Sequence, residues 1–302
     1  MLVRSLIAGL IFAFSFAGCA SSLTPTPATV NARAANDSSS NVERHAYPFA
    51  ANSARQPTIP CVTIADFTAP TSTDLAYLKA YNIHCVRFDL GAADSTQIAS
   101  SQAEVKAVAA DGLFILLISP YVPKGVTPTQ ALYDSDASIT EQTVALAPNS
   151  FAGVELMNEA NNDGGLNETQ LTTSQYVAYA NTIANSLYEA HTYTITSGAT
   201  TSVSNFLSWQ EATVPSISAE CIGAHFYGIS SSNFYSSLMG FEADFSNKNW
   251  CMTEWIPSSR ADLATAWSQL NGFVNYFGVF NLKLLEENPS WEGVFPPNSP
   301  PY

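Results

Sequence analysis

Positive charge is scarce in this chain. Its 302 residues include 11 lysines and arginines against 25 aspartates and glutamates, which gives a formal net charge of −14. Such a surface repels phosphate backbones and anionic membranes but leaves neutral ligands such as sugars unaffected. The balance argues against a nucleic-acid-binding protein. Only 12% of the residues are charged and 46% are hydrophobic, so the chain can bury one substantial core, and one large domain is expected.

The sequence also lacks the patterns that hold common cofactors. Neither G-x-G-x-x-G nor G-x-x-x-x-G-K occurs, so no glycine-rich phosphate turn is present. The four histidines, His45, His84, His191 and His225, have neither H-x-x-H nor H-x-x-x-H spacing. We therefore expect no cofactor and no catalytic metal.

The N-terminus has the layout of an export signal. Arg4 precedes an apolar stretch over residues 6–17, which is too short for a comfortable membrane span, and small residues follow. The sequence "FAGC" at residues 16–19 resembles a bacterial lipobox, which would make Cys19 the lipidated first residue of the mature chain. Ordinary cleavage nearby, for example after Ala20, is the alternative. Either route predicts a secreted or cell-surface protein, with membrane attachment only through Cys19.

After the predicted signal, residues 21–57 are rich in Ser, Thr, Pro and Ala and show little apolar periodicity. We expect a flexible tether there, because such a segment cannot offset its ordering entropy. The folded domain is expected over residues 58–302.

Four further cysteines lie at or near the starts of predicted strands. Cys61 with Cys85, and Cys221 with Cys251, would be neighbours if consecutive strands pair, and an exported protein could oxidise them. Four buried free thiols are the alternative, because sequence does not determine the connectivity.

Short β-rich runs alternate with amphipathic helical patterns throughout the predicted domain. The eight predicted strands cover residues 61–67, 84–90, 113–119, 151–159, 192–198, 221–228, 249–255 and 280–286. Eight strand-helix repeats over this length match the (β/α)₈ barrel, known as the TIM barrel, and a doubly wound open sheet is the alternative. In such barrels the active site lies at the C-terminal ends of the strands, so polar residues there are candidates for the site.

Residues two apart in a strand share one face, and this alternation groups the ionisable residues of four predicted strands. The groups are Arg87 with Asp89; Glu155, Met157 and Glu159; His225 with Tyr227; and Trp250, Met252 and Glu254. We expect these faces to form the barrel interior near its mouth, because the other face must pack against helices. Clustered ionisable groups usually indicate function, and a structural ion-pair network around Arg87 is the alternative.

Three of these segments carry a family resemblance. "ELMNEAN" at residues 155–161, "HFY" at 225–227 and "MTEW" at 252–255 resemble the glycoside hydrolase clan A barrels. The resemblance covers residues 58–302 in element order. Ala160 stands where many members have proline after the Asn-Glu pair, and Glu155 completes the E-x-x-N-E variant found in family 39 and its relatives. The chain therefore resembles the clan, with features similar to families 5 and 39.

The resemblance implies a role for each matching residue. Glu159 would be the general acid/base and Glu254 the nucleophile of a retaining mechanism, with the two carboxyl groups about 5 to 5.5 Å apart. Asn158 would bind the sugar 2-hydroxyl, and His225 and Tyr227 would be partners of the carboxylates. Arg87 matches the arginine that supports the nucleophile in family 5.

Aromatic side chains can stack on the apolar faces of sugar rings. Trp255, Trp291, Tyr121 and Trp209 are candidates for this role, and packing against helices is the alternative. The predicted strand-to-helix loops are mostly short, the longest being around residues 120–138 and 160–172. Short loops leave a groove open at both ends, which favours cleavage within a polymer.

We therefore expect a monomeric retaining glycosidase that cleaves β-glycosidic bonds of a polysaccharide or oligosaccharide by double displacement. An endo-β-glucanase is the leading reading, with xylan or mannan as other possible substrates. A transglycosylase using the same residues and a non-catalytic carbohydrate-binding barrel are the alternatives. The presence of both Glu159 and Glu254 speaks against the binding barrel.

Overall fold

Parallel strands alternate with helices along the chain in the computed structural model. The structure describes residues 58–64, 70–91, 94–161, 169–200, 203–227, 229–242 and 248–295. The described strands are β1 (Ile59–Thr63), β2 (Cys85–Asp89), β3 (Phe114–Ile118), β4 (Phe151–Leu156), β5 (Thr194–Thr196), β6 (Ala199–Thr200), β7 (Cys221–His225), β8 (Asn249–Glu254) and β9 (Tyr276–Phe280). The described helices are α1 (Ser72–Ala80), α2 (Ser95–Ala110), α3 (Gln130–Val144), α4 (Thr173–Tyr188), α5 (Val203–Thr213), α6 (Phe234–Glu242), α7 (Arg260–Leu270) and α8 (Leu282–Glu286).

The strands close into a barrel. Each of β1 to β5 pairs with the next in parallel, β5 continues to β7, and β7, β8 and β9 lead back to β1. The two-residue β6 adds a short pairing to β7. Eight strands therefore form the ring, which is the predicted (β/α)₈ barrel and not the alternative open sheet. All described residues belong to one compact unit, residues 46–302.

The prediction for the eighth barrel strand was wrong. The strand covers Tyr276–Phe280 instead of residues 280–286, and Leu282–Glu286 form helix α8. The Asn281 side chain accepts a hydrogen bond from the Leu284 backbone N–H and so caps the start of this helix. The buried Leu282 and Leu285 are three residues apart, which suits one helical face.

Side chains at the helix starts explain where several helices begin. A capping box joins Thr71 and Asp74 at α1, and another joins Thr172 and Gln175 at α4. Each box satisfies backbone N–H groups that have no partner within the helix. The second box matters for the site, because α4 follows directly after the loop that leaves β4.

The core has two separate parts. One lies between the barrel and its helices, and the other fills the barrel interior with side chains from all eight barrel strands except β8 and β9 represented by one residue each, Cys251 and Tyr276. Both cysteine pairs are disulfides inside this interior core, Cys61–Cys85 and Cys221–Cys251. The structure thus resolves the alternative that the sequence left open.

The predicted export signal, Cys19 and the predicted tether lie outside the described residues. None of the helices in the described ranges combines the length and the apolar character that crossing a membrane requires.

Candidate active site

The candidate site lies at the C-terminal ends of four barrel strands. Arg87 comes from β2, Glu155 from β4, His225 from β7 and Glu254 from β8, and all four side chains are buried. Hydrogen bonds join them into one network. The sequence prediction that polar residues of these strands gather at one place is therefore confirmed.

The predicted alternation of faces fails in β4 and β8. Trp250 and Met252 pack in the core between barrel and helices, whereas Cys251 lies in the barrel interior. A register shift then pairs His225 with Glu254, and this irregularity turns Glu254 inward. Met157 also packs on the helix side, so it does not share the inner face with Glu155. Its left-handed backbone, with φ of 72°, ends the alternation.

Arg87 is the centre of the network. Its Nε donates to Glu155 Oε2 at 2.8 Å, its Nη1 to Glu254 Oε2 at 2.9 Å and its Nη2 to Asn158 Oδ1 at 2.8 Å. The guanidinium is only 1% exposed. Burial would lower the pKa of Arg87, but the charges of Glu155 and Glu254 raise it. Arg87 is therefore a permanent cation that fixes three groups at once.

Glu155 is a fully buried carboxylate. Besides Arg87, its Oε1 accepts from the Gly198 backbone N–H at 2.9 Å and from Thr253 Oγ1 at 3.1 Å, and it lies 3.6 Å from His225 Nε2. Burial would raise the pKa of Glu155, but the Arg87 charge and the interactions with His225 lower it to about 2. The site thus holds an anion that stays charged throughout the neutral range.

His225 connects the two sides of the site. Its Nδ1 lies 2.8 Å from Glu159 Oε1, and its Nε2 lies 3.6 Å from Glu155 Oε1 and 4.0 Å from Glu254 Oε2. Burial would lower the pKa of His225 and Arg87 acts in the same direction. The charge of Glu254 and the hydrogen bonds to Glu155 and Glu159 outweigh these effects and raise it to about 9. The imidazole therefore carries a positive charge at neutral pH.

The two candidate reacting carboxylates face each other with different partners. One oxygen of Glu159 and one of Glu254 lie within 4.8 Å of each other. Glu254 accepts from Arg87 and from the Tyr227 hydroxyl, whereas Glu159 is bonded to His225. Burial and the Glu254 charge raise the pKa of Tyr227, so its hydroxyl stays a donor. The structure brings together Arg87, Asn158, Glu159, His225, Tyr227 and Glu254 from the sequence prediction.

The same atoms could in principle hold a metal ion. Glu159, His225 and Glu254 each offer one nitrogen or oxygen, and these atoms lie within 4.8 Å of one another. However, Arg87 already donates to Glu254, and the imidazole of His225 carries a proton at neutral pH. A cation would have to compete with both positive charges. The arrangement suits a hydrogen-bonded acid and base better than a metal centre.

The tryptophans proposed as sugar platforms lie deeper than the carboxylates. Trp255 is 4% exposed, and its ring meets Phe234 and Phe277 edge to face. Trp291 is 6% exposed and belongs to the helix-side core. Trp209 packs against Tyr176. These are the contacts of packing residues, which the sequence reading kept as the alternative. Tyr121, the fourth candidate, is partly buried against the same core.

Phe280 is an aromatic residue that the sequence reading missed. It ends β9, opposite Thr63 of β1, and it shares its strand face with Tyr276 in the barrel interior. It is only partly buried. The sequence analysis started the last strand at this residue, so its place at the barrel mouth was not visible. A correct boundary at Asn281 would have revealed it.

A further pair of carboxyl groups lies beside the network. Burial is the largest effect on Asp89 and outweighs the attraction of Arg87, so that, with Glu254 and Glu155, it raises the pKa of Asp89 to about 6. Burial and the Asp89 charge raise the pKa of Glu104, on α2, to about 9. Both carboxyl oxygens of Glu104 are buried without a hydrogen-bond partner among the described residues.

Comparison with known proteins places the fold among solved structures. No family model matches the sequence, and no curated protein sequence matches it either. The structure is similar to the endoglucanase Cel5A of Pseudomonas stutzeri, with a TM-score of 0.57, 13% identity, and coverage of 74% of this chain and 84% of that one. It is also similar to the glycoside hydrolase family 30 subfamily 8 xylanase Xyn30A of Clostridium acetobutylicum, with a TM-score of 0.55, 15% identity, and coverage of 76% and 65%.

A third similar structure is SrfJ of Salmonella typhimurium, with a TM-score of 0.53, 11% identity, and coverage of 76% of this chain and 66% of that one. The matched part of this chain thus spans just under two thirds of SrfJ and of Xyn30A. At these identities the likeness concerns the fold. The chain has the (β/α)₈ barrel that these proteins also have.

Proposed function

We propose that this protein is a retaining glycoside hydrolase of clan A that cleaves β-glycosidic bonds by double displacement. The observation that carries the proposal is the distance between Glu159 and Glu254, which have oxygens within 4.8 Å of each other. Retaining enzymes need about 5 to 5.5 Å between the two carboxyl groups, whereas inverting enzymes need about 6.5 to 9.5 Å to fit a water molecule.

In the first step, Glu254 attacks the anomeric carbon while Glu159 gives its proton to the departing glycosidic oxygen. The bond to the leaving sugar breaks as the bond to Glu254 forms. Arg87 and Tyr227 hold Glu254 in its ionised form and aim one of its oxygens at the substrate. In the second step, Glu159 takes a proton from water, and the oxygen of that water displaces Glu254.

Asn158 and His225 support the reacting groups. Because Arg87 holds the Asn158 carbonyl oxygen, the amide nitrogen is the group that can donate to a sugar hydroxyl. His225 holds Glu159 through Nδ1 at 2.8 Å. Phe280 is the aromatic side chain that we propose as an apolar wall for the sugar, since it is partly exposed at the barrel mouth.

The proposed substrate is a β-linked polysaccharide, with β-glucan first and xylan or mannan as further candidates. Two of the similar structures are an endoglucanase and a xylanase. Within the clan, Arg87 is similar to family 5 and the E-x-x-N-E pattern to family 39. The two disulfides support an exported enzyme, because disulfides persist in oxidising compartments.

A panel of β-glucan, xylan and mannan tests the proposal, with product sizes and anomers followed over time by chromatography and NMR. We expect products that first appear with the β configuration. Inverted products would contradict double displacement. Longer products than the starting oligosaccharide would indicate transglycosylation, and binding without cleavage would indicate a carbohydrate-binding barrel.

Two substitutions test the assigned residues. We expect Glu254→Gly to lower turnover by several orders of magnitude, and Glu159→Gln to lower it by about 10²- to 10⁴-fold, because general acid–base catalysis contributes that much. Glu141→Gln on the exposed face of α3 is the matched control. Near wild-type hydrolysis by the Glu254 variant would rule out the proposed nucleophile.

A further inference from the structure

The turn that carries Asn158 and Glu159 has an unusual backbone. Met157 and Glu159 both have left-handed conformations, with φ of 72° and 39°, and neither is glycine. Such conformations persist only where surrounding contacts hold them. The backbone on both sides of the Asn158–Glu159 pair should therefore show what keeps the turn in place.

Two buried serines receive the backbone N–H groups that flank the pair. The Met157 N–H donates to Ser119 Oγ at 2.8 Å, and the Ala160 N–H donates to Ser197 Oγ at 2.9 Å. Ser119 is 1% exposed and Ser197 is fully buried. Since water does not reach these sites, each serine oxygen is the group that fixes its end of the turn.

Both serines are held in turn by helix α4. Tyr179 Oη lies 2.9 Å from Ser119 Oγ and also donates to the Pro120 carbonyl. Because the tyrosine proton is used in that bond, the Ser119 hydroxyl donates to Tyr179 and keeps its lone pair for Met157. Tyr176 Oη accepts from the Ser197 backbone N–H at 2.5 Å. The two tyrosines are three residues apart on α4, so they share one helix face.

We infer that Ser119 and Ser197 are positioning residues for the acid/base glutamate. They anchor the Asn158–Glu159 turn to the strands before and after β4, and α4 locks them through Tyr179 and Tyr176. The inference rests on the proposed function, because it assigns the turn the task of placing the Glu159 carboxyl at the leaving oxygen. A displacement of about 1 Å at a reacting group can cost about 100-fold in rate.

Leaving-group dependence tests the inference. A natural glycan leaves as a poor alkoxide and needs the proton from Glu159, whereas 2,4-dinitrophenolate leaves without one. For Ser119→Ala and Ser197→Ala we expect kcat on the glycan to fall about 10- to 100-fold while KM changes less than about threefold. The glycosylation rate with the 2,4-dinitrophenyl glycoside of the same sugar, measured as the burst of dinitrophenolate, should stay within about threefold of wild type.

Matched variants separate positioning from folding. Thr140→Val removes a buried hydroxyl that bonds to the Asp136 carbonyl within α3, and we expect it to leave both rates unchanged. Ser119→Thr keeps the hydroxyl and should recover the glycan rate. If an alanine variant does not fold, Tyr179→Phe, which keeps the serines, should show a smaller loss with the same preference for the activated substrate.

The outcomes are distinct. An equal loss on both substrates, or no loss on the glycan, overturns the positioning role. Glu159→Gln is measured in parallel as the reference. If that variant loses glycan hydrolysis and keeps the burst, the proposed function stands and the serine results decide the inference alone. If that variant keeps full glycan activity, the proposed function fails and the inference fails with it.

Discussion

At the residue scale, Glu155 shows why the site needs a carboxylate that does not react. Arg87 and His225 are both buried cations, and both contact the candidate reacting glutamates. Without Glu155 they would be under-compensated in a region that water does not reach. The sequence placed Glu155 on the inner face of β4 but gave no sign of its four partners, because three of them come from distant strands.

We predict that Glu155→Gln lowers the free energy of unfolding at neutral pH by about 3 kcal/mol, since removing one partner of a buried pair typically costs that much. The pKa of Glu155 is about 2 in the folded protein and 4.5 ordinarily. Its stabilisation is therefore complete above pH 4.5 and is lost as the pH falls towards 2. Urea unfolding from pH 3 to 7 should show a difference between the two proteins that shrinks at the acidic end. A difference that is constant over this range would contradict the assigned ionisation.

Glu104 should respond to pH in the opposite direction. Burial raises its pKa from 4.5 to about 9, so the folded protein holds a proton that the unfolded chain has lost above pH 4.5. Its contribution therefore falls as the pH rises from 4.5 to 9, by on the order of 1 kcal/mol per pH unit. We expect Glu104→Gln to remove this loss, so its stability relative to wild type should rise with pH in urea unfolding. The exposed Glu141→Gln is the control, and an equal pH response in both variants would show that Glu104 is not the cause.

At the scale of elements, strand existence and order could be predicted, but strand ends and faces could not. Alternation of apolar residues identifies β2 and β7 and correctly places Arg87 and His225 inside. It fails where the chain departs from a regular strand, at the irregularity that turns Glu254 inward and at the left-handed Met157. These departures depend on neighbouring strands, so no local pattern announces them. The Asn281 cap was a local signal, and it would have corrected the last strand.

Close approach of β5 and β7 gives an element-scale prediction. A Cβ on Gly198 would lie 2.2 Å from His225 Nε2 and 2.7 Å from Thr253 Oγ1. We predict that Gly198→Ala displaces His225 and lowers kcat about 100-fold or more. Gly223→Ala is the matched control, because its Cβ would lie 2.2 Å from the Thr196 backbone oxygen. We expect that variant to lose mainly stability. Thermal melts and kinetics on both should therefore separate the effects, and unchanged kinetics in Gly198→Ala would contradict the tight packing.

At the scale of the whole molecule, the site depends on barrel closure. Arg87 and Glu254 are 167 residues apart in sequence, and they meet because β2 and β8 lie in the same ring. Element count and order were enough to predict this ring. The carboxylate spacing could not be derived from the sequence, because it depends on strand register all the way around the barrel.

The two disulfides brace that ring from inside, and they support the last prediction. Cys61–Cys85 joins β1 to β2 and closes 24 residues, and Cys221–Cys251 joins β7 to β8 and closes 30 residues. Loops of this size stabilise the folded state by about 3 kcal/mol each, mainly by restricting the unfolded chain. We therefore expect Cys61→Ala/Cys85→Ala to unfold at a lower urea concentration than wild type.

The same variant should keep most of its activity at 25 °C, because both cysteines lie in the interior core and neither contacts Glu159 or Glu254 in the listed hydrogen-bond network of the described residues. Unfolding with and without reductant supplies the check, since reductant should destabilise wild type more than the variant that has one disulfide left. Equal urea midpoints for wild type and variant would show that the bond does not brace the barrel. Loss of activity without loss of stability would instead show that the interior core sets the position of Arg87, two residues beyond Cys85.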